Sequence, residues 1–312
     1  MKLLNTGRLS PALVARLAAT YEMSMLAEQG DPALFLAERG AEFVGLVTSA
    51  AVGADATLMA SLPNLKVISS FGVGLEKVDL AAARSRGIAV GYTPDVLNDC
   101  VADTAFGLLI DVARGFSAAD RFVRRNAWPK GGVALGRKVS GKRMGLVGMG
   151  RIGRTIARRS TGFDMEVRYH ARRPVPDVPW THEADLPALA RWADFLVLIT
   201  AGGAGTRHLV DAAVLDALGP KGFLINVARG SVVDEAALVA ALQEGRIAGA
   251  GLDVFENEPH VPAALLALDN VVLLPHVASA THETRLAMAD RVFDNLQAFF
   301  AEGRLISAAP AA

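Results

Sequence analysis

Short apolar runs alternate with helical periodicity along almost the whole chain. In the first third the runs are Lys2–Asn5, Phe43–Thr48, Lys66–Ser70 and Ile88–Gly91. Helical patterns fall between them, from Pro11, near Ala54–Ala60 and near Val78–Ser85. The runs are apolar on both faces, as strands of a covered parallel sheet must be. After Thr93-Pro94 a long helical pattern covers Val96–Arg114, and a basic stretch follows around Arg121–Lys130. A second series then begins. Its expected strands are Arg143–Val147, Glu166–Tyr169, Phe195–Thr200, Gly222–Val227, Ala248–Asp253 and Val271–Leu274, and a last helix runs from about Thr281 to Ala301.

This alternation predicts an α/β fold of two doubly wound parallel-sheet domains with right-handed crossovers. The break falls near Tyr92–Asp95, giving domains 1–95 and 96–280. The last helix, within 281–312, lies beyond the second series. Its position suggests a return to the first domain, with an active-site cleft between the two.

Bulk properties narrow the class. A chain of 312 residues, 52% hydrophobic and 21% charged, has enough material for two cores. Lys plus Arg equals Asp plus Glu at 32 each, which gives no reason to expect nucleic acid or an anionic membrane as partner. The single cysteine, Cys100, excludes an internal disulfide, and with no basic group beside it reads as a small structural residue. The start, MKLLNTGRLSPAL, has too short an apolar run for a signal peptide, and no run reaches the roughly 18 apolar residues of a membrane span. A cytoplasmic protein is expected. No metal is expected either, because the six histidines show no ligand spacing.

The segment RMGLVGMGRIGRTIARR places Gly148, Gly150 and Gly153 in the spacing G-x-G-x-x-G, after a strand and before a helix. Such glycines permit a tight turn, backbone approach to a pyrophosphate and close helix–strand packing. The next strand ends VRYHARRP. An NAD site usually carries an acid near that end, bonded to the ribose 2′-hydroxyl. Here His170 stands where the acid would be, followed by Arg172 and Arg173. Guanidinium groups bind a 2′-phosphate by charge-assisted bonds, so NADPH is the expected cofactor, with NADH weaker.

Three further segments end in reactive side chains. NVARGSVVDEAAL carries Arg229, GAGLDVFENEP carries Asp253, Glu256 and Glu258, and LLPHVASAT carries His276. All follow strands, and ligands bind beyond the carboxyl ends of strands in an open parallel sheet. The types fit reduction of a keto acid. His276 can supply the proton that the carbonyl oxygen needs. Glu258 beside it favours the imidazolium. Arg229 can bind the substrate carboxylate and polarise the carbonyl.

On GMGRIG, NVARGSVVDEAAL, GAGLDVFENEP and LLPHVASAT, the chain resembles the D-2-hydroxyacid dehydrogenase family over essentially its full length. Through SSFGVGLEKVDL, TPDVLNDCVADTAFGLL and the HARR strand end it is most similar to the NADPH-dependent glyoxylate/hydroxypyruvate reductase and hydroxyphenylpyruvate reductase branch. The resemblance implies a flavodoxin-like substrate domain and a Rossmann cofactor domain. It implies Arg229, Glu258 and His276 as the catalytic set. It implies that Phe71, Gly72, Val73 and Gly74 form a substrate loop whose Val73 and Gly74 N–H groups take the carboxylate. Arg151, Ile152, Thr200, Thr206, Val227, Ala228 and Ser279 are implied along the cofactor, with Asp253 near the nicotinamide amide. A homodimer built mainly from the cofactor domains is implied as well.

One departure is Ala278-Ser279, where relatives often have Gly-Ser. With the last helix so near position 312, the appended regulatory domain of some phosphoglycerate dehydrogenases is not expected, which lowers that reading. The basic RFVRRNAWPK stretch reads as solvated surface or a dimer arm, and Trp128 in it as core or interface packing. The expected activity is NADPH-dependent reduction of small 2-keto acids such as glyoxylate and hydroxypyruvate. Alternatives are hydroxyphenylpyruvate or 2-ketogluconate on the same machinery, or a non-catalytic dinucleotide-sensing protein resembling corepressors of this fold.

Overall fold

The computed structural model describes residues 1–310 and divides into two compact units, Met1–Leu97 with Thr281–Ala312, and Asn98–Ala280. The first unit opens with β1 (Lys2–Asn5), α1 (Pro11–Ala18), β2 (Glu22–Met25), α2 (Pro32–Arg39) and β3 (Gly45–Ser49). It continues with α3 (Ala56–Ala60), β4 (Val67–Phe71), α4 (Leu80–Ser85) and β5 (Ala89–Gly91). All strand pairs are parallel, in the order β2-β1-β3-β4-β5. This is the flavodoxin-like order.

The second unit begins with α5 (Asn98–Arg114) and α6 (Phe116–Arg124), then β6 (Arg143–Val147), α7 (Arg151–Ser160), β7 (Glu166–His170) and β8 (Thr181–His182). After α8 (Leu186–Trp192) come β9 (Phe195–Leu198), α9 (Ala212–Leu218), β10 (Phe223–Asn226), α10 (Glu235–Gln243), β11 (Gly249–Leu252), α11 (Ala263–Leu266) and β12 (Val271–Leu273). The last helix, α12 (His282–Glu302), belongs to the first unit. The seven-stranded parallel sheet runs β12-β11-β10-β9-β6-β7-β8. Its order reverses direction between β6 and β9, the topological switch point of a Rossmann sheet.

Both sheets are covered on two faces. In the first unit, adjacent residues on one strand enter different cores. Leu4, Leu46 and Ile68 join Phe43, Met59 and Leu62. Leu3, Val47 and Val67 pack with Leu13 and Leu17 and with Val292, Phe293 and Leu296 of α12. This is the period-two alternation of a strand serving two layers. Polar groups lock α12 down: Ser69 Oγ donates to Val292 O at 3.1 Å, and the buried Asn295 donates to Tyr92 O at 3.2 Å. In the second unit Leu196, Leu198, Leu224, Ala250 and Leu252 face Leu189, Val214, Leu215 and Leu238 of the helices.

Several elements differ from the sequence expectation. β2, EMSM, is an edge strand without a fully buried residue, so it has no apolar run to betray it. α2 buries no residue and starts on an Asp31 cap. β8 is only two residues long. The expected helices near Ala54 and Val78 begin two residues later, because Asp55 and Asp79 cap them from outside. Trp128 is 68% exposed, which overturns core packing within the chain. It sits in a one-turn segment beyond α6, a helix with no buried residue, so no core lies beneath it. No helix among the described residues is long and apolar enough to cross a membrane.

Candidate active site

The glycine turn joins β6 to α7. Gly148 has φ +107°, a conformation open to glycine, and a Cβ there would lie 2.9 Å from the Ile199 carbonyl and Thr200 N. A Cβ at Gly153 would lie 2.4 Å from Gly148 O, so the helix packs directly on the turn. Gly150 is the N-cap of α7, no side chain caps it, and a Cβ there would meet nothing within 4 Å. Uncapped N–H groups above an open surface suit a pyrophosphate. Arg151 and Ile152 form the first helical positions. These features fit a dinucleotide, whose nicotinamide supplies hydride when bound.

Gly148 N donates to His170 O at 2.9 Å, which joins the turn to the end of β7. Beyond His170, Arg172 and Arg173 are exposed, and neither has a hydrogen-bond or ion-pair partner among the described residues. Thr200 is half-buried after β9. Thr206 hydroxyl donates to Ala201 O at 2.8 Å and so holds its own loop together.

The loop after β10 is held by the buried Asn226. Its Nδ2 donates to Arg229 O at 3.0 Å and its Oδ1 accepts from Ala228 N at 3.0 Å. Val227 and Ala228 are buried, while Arg229 is half-buried with Nη1 donating to Ala228 O at 2.7 Å. The next residue must be glycine for a different reason. A Cβ on Gly230 would lie 1.8 Å from Phe255 C and 2.3 Å from Glu256 N. The arginine loop therefore rests directly on the backbone that carries Glu258.

Glu258 Oε2 accepts from His276 Nδ1 at 2.8 Å, and Oε1 accepts from Phe255 N at 3.1 Å. A carboxylate on Nδ1 fixes that nitrogen as a donor and leaves Nε2, which has no partner among the described residues. Burial works against the ionised Glu258 carboxyl. The His276 bond and charge, the Phe255 N–H and the Arg229 charge outweigh it and hold the carboxyl below its usual range. Glu256 sits outside this pair. It accepts from His208 Nε2 at 2.9 Å and Arg207 Nη2 at 2.7 Å, while its N–H donates to Glu235 at 3.2 Å.

Asp253 plays a part that its sequence position did not show. It is 1% exposed, and its two carboxylate oxygens accept from Val277 N at 2.7 Å and Ala278 N at 3.1 Å. Both oxygens face the loop that bears His276. Burial raises the Asp253 carboxyl, with the two N–H bonds and the His276 charge opposing. Ala278 is buried on this clamp, and Ser279 is half-buried beside it.

The substrate loop expected at Phe71–Gly74 lies at the end of β4, in the first unit. Gly72 N donates to Thr93 Oγ1 at 3.1 Å, and Thr93 N donates back to Gly72 O at 3.0 Å. The N–H groups of Val73 and Gly74 donate to nothing among the described residues, which leaves two adjacent donors for an anion. No group of three or more His, Cys, Asp or Glu among the described residues is arranged to hold a metal.

Comparison with known proteins agrees with this architecture. The model of the D-isomer specific 2-hydroxyacid dehydrogenase NAD binding domain matches residues 106–278. A glyoxylate/hydroxypyruvate reductase A of Arabidopsis thaliana is 49% identical over 262 residues, 84% of this chain and 84% of its own. A hydroxyphenylpyruvate reductase of Plectranthus scutellarioides is 48% identical over 273 residues, 88% of this chain and 87% of its own. Among solved structures, an NADPH-dependent glyoxylate/hydroxypyruvate reductase of Sinorhizobium meliloti in complex with NADP and malonate superposes with a TM-score of 0.92. It is 46% identical and the match covers 99% of this chain and 96% of that one.

Fold and matches together define an oxidoreductase that uses a nicotinamide dinucleotide. The chain belongs to the D-isomer specific 2-hydroxyacid dehydrogenase family.

Proposed function

We propose that the protein reduces small 2-keto acids, glyoxylate and hydroxypyruvate foremost, to D-2-hydroxy acids with NADPH. The carrying observation is the Glu258–His276 pair, which leaves His276 Nε2 as the only ring nitrogen available to a substrate. The turn of Gly148, Gly150 and Gly153 would hold the cofactor, whose nicotinamide would supply hydride to C2. His276 Nε2–H gives the carbonyl oxygen its proton, and the Glu258 carboxylate stabilises the imidazolium before that transfer. Arg229, whose charge already acts on Glu258, binds the substrate carboxylate and draws electron density toward the carbonyl oxygen. For the first unit we propose that Phe71, Gly72, Val73 and Gly74 receive a carboxylate through the two unspent N–H groups.

The cofactor preference rests on the end of β7. Two unengaged guanidinium groups and no acid favour a 2′-phosphate, by at least about tenfold in KM over NADH. The cofactor positions proposed are Gly148, Gly150, Arg151, Ile152, Gly153, His170, Arg172, Arg173, Thr200, Thr206, Val227, Ala228, Asp253 and Ser279. A homodimer is proposed too, supported by exposed Phe116, Val123, Trp128, Val133 and Leu135 within one stretch of the second unit.

Initial rates over a panel of 2-keto acids with NADPH and with NADH test the reading. The highest kcat/KM is expected for glyoxylate or hydroxypyruvate with NADPH. A clear preference for hydroxyphenylpyruvate or 2-ketogluconate would replace the substrate, and equal use of NADH would remove the cofactor preference.

A further inference from the structure

The Arg172–Arg173 turn leaves the sheet at β7 and is fastened by few bonds. At its exit Val175 N donates to the hydroxyl of buried Tyr169 at 2.8 Å. At its entrance Ala171 O lies 2.9 Å from His182 Nε2, and no other residue among those described bonds to Ala171. His182 is the second residue of β8, a strand that pairs only through Arg168↔Thr181 and Tyr169↔His182. Its ring leans on Tyr169, with centroids 5.2 Å apart and planes at 54°. A reciprocal bond crosses in the other direction, from His170 Nδ1 to Glu183 O at 3.0 Å.

We propose that His182 is a positioning residue for cofactor specificity: its Nε2–H holds Ala171 O and thereby sets where Arg172 and Arg173 present their charges. The inference rests on the reading that these two arginines receive the 2′-phosphate. A carbonyl oxygen only accepts, so Nε2 carries the proton. Arginine side chains are long and lose rotamer freedom on binding. A backbone held at the residue just before them restricts where their stems begin, so less order remains to be imposed when the phosphate arrives. NADH, lacking that phosphate, gains nothing from the tie.

Calorimetric Kd values for NADPH and for NADH test this without turnover. Four proteins are compared: wild type, His182→Phe, His182→Gln and the double variant Arg172→Ser with Arg173→Ser. Phenylalanine keeps a ring against Tyr169 but has no N–H, whereas the glutamine amide can donate from nearly the same place. His182→Phe is expected to weaken NADPH by about threefold to tenfold, the worth of one hydrogen bond, with NADH within about twofold. His182→Gln is expected to restore most of the loss, and the double variant to erase the preference. If His182→Phe does not fold, His182→Ala takes its place with the same expectation. An unchanged NADPH-to-NADH ratio, or equal weakening of both, would overturn the role of His182 while the double variant still lost its preference. A double variant that kept the preference would instead overturn the reading of the arginines, and the positioning role with it.

Discussion

Asp253 holds the backbone of His276 in the left-handed region. His276 has φ +54°, its N–H donates to Asp253 O at 2.8 Å, and the next two N–H groups donate to the Asp253 carboxylate. A non-glycine residue in that region costs about 1–3 kcal/mol and persists only where its surroundings impose it. Here three successive donors close on one residue at the end of β11. The loop is thereby turned so that the ring meets Glu258.

Asp253→Asn tests the clamp. An amide offers one acceptor oxygen and puts an NH2 group against the other backbone N–H, leaving that donor unpaired. A loss of about 1–3 kcal/mol of stability is expected in denaturant unfolding. Turnover should fall by more than cofactor affinity, since the moved element carries His276. Unchanged stability and turnover would show that the two oxygens are not needed.

Gly230→Ala probes the seat between the arginine loop and the Glu258 loop. The new methyl would lie 1.8 Å from Phe255 C, and backbone on both sides leaves no flexible end to give way. Overpacking of about 1–3 kcal/mol or more is expected, with lost turnover as Arg229 and Glu258 move apart. A variant with wild-type melting and rates would contradict the close approach.

Glu258→Gln carries a pH signature. The folded carboxyl lies below its ordinary value, so its contribution to stability is fully present above the unfolded pKa and is lost as pH falls through the folded one. The variant lacks that contribution at every pH. The stability gap between the two proteins should therefore be open at neutral pH and narrow as pH falls below the ordinary carboxylate range. A gap that stays constant over this range would mean that the carboxylate charge is not what stabilises the pair.

The candidate site was legible in the sequence, as a set of positions, wherever its signal is local. The glycine turn, Arg229 after β10 and His276 after β12 each stand in a short window whose neighbours announce strand, turn and helix. The role of Asp253 was not legible, because its partners Val277 and Ala278 lie more than twenty residues further along and the bonds form only once β11 and β12 pair. His182 was hidden for a similar reason: a two-residue edge strand has no periodicity, and its bond to Ala171 depends on register with β7. Edge elements were lost in the first unit too. β2 and α2 bury little, so the apolar pattern that reveals β3 and β4 is absent from them.

The central claim is that His276 Nε2 delivers the proton. The most direct measurement is NADPH-dependent turnover of glyoxylate by His276→Ala beside wild type, with the NADPH Kd of each. A fall in kcat of roughly 10²–10⁴-fold at nearly constant Kd is expected, the usual worth of a general acid. Turnover close to wild type in a variant that binds NADPH normally would contradict the account.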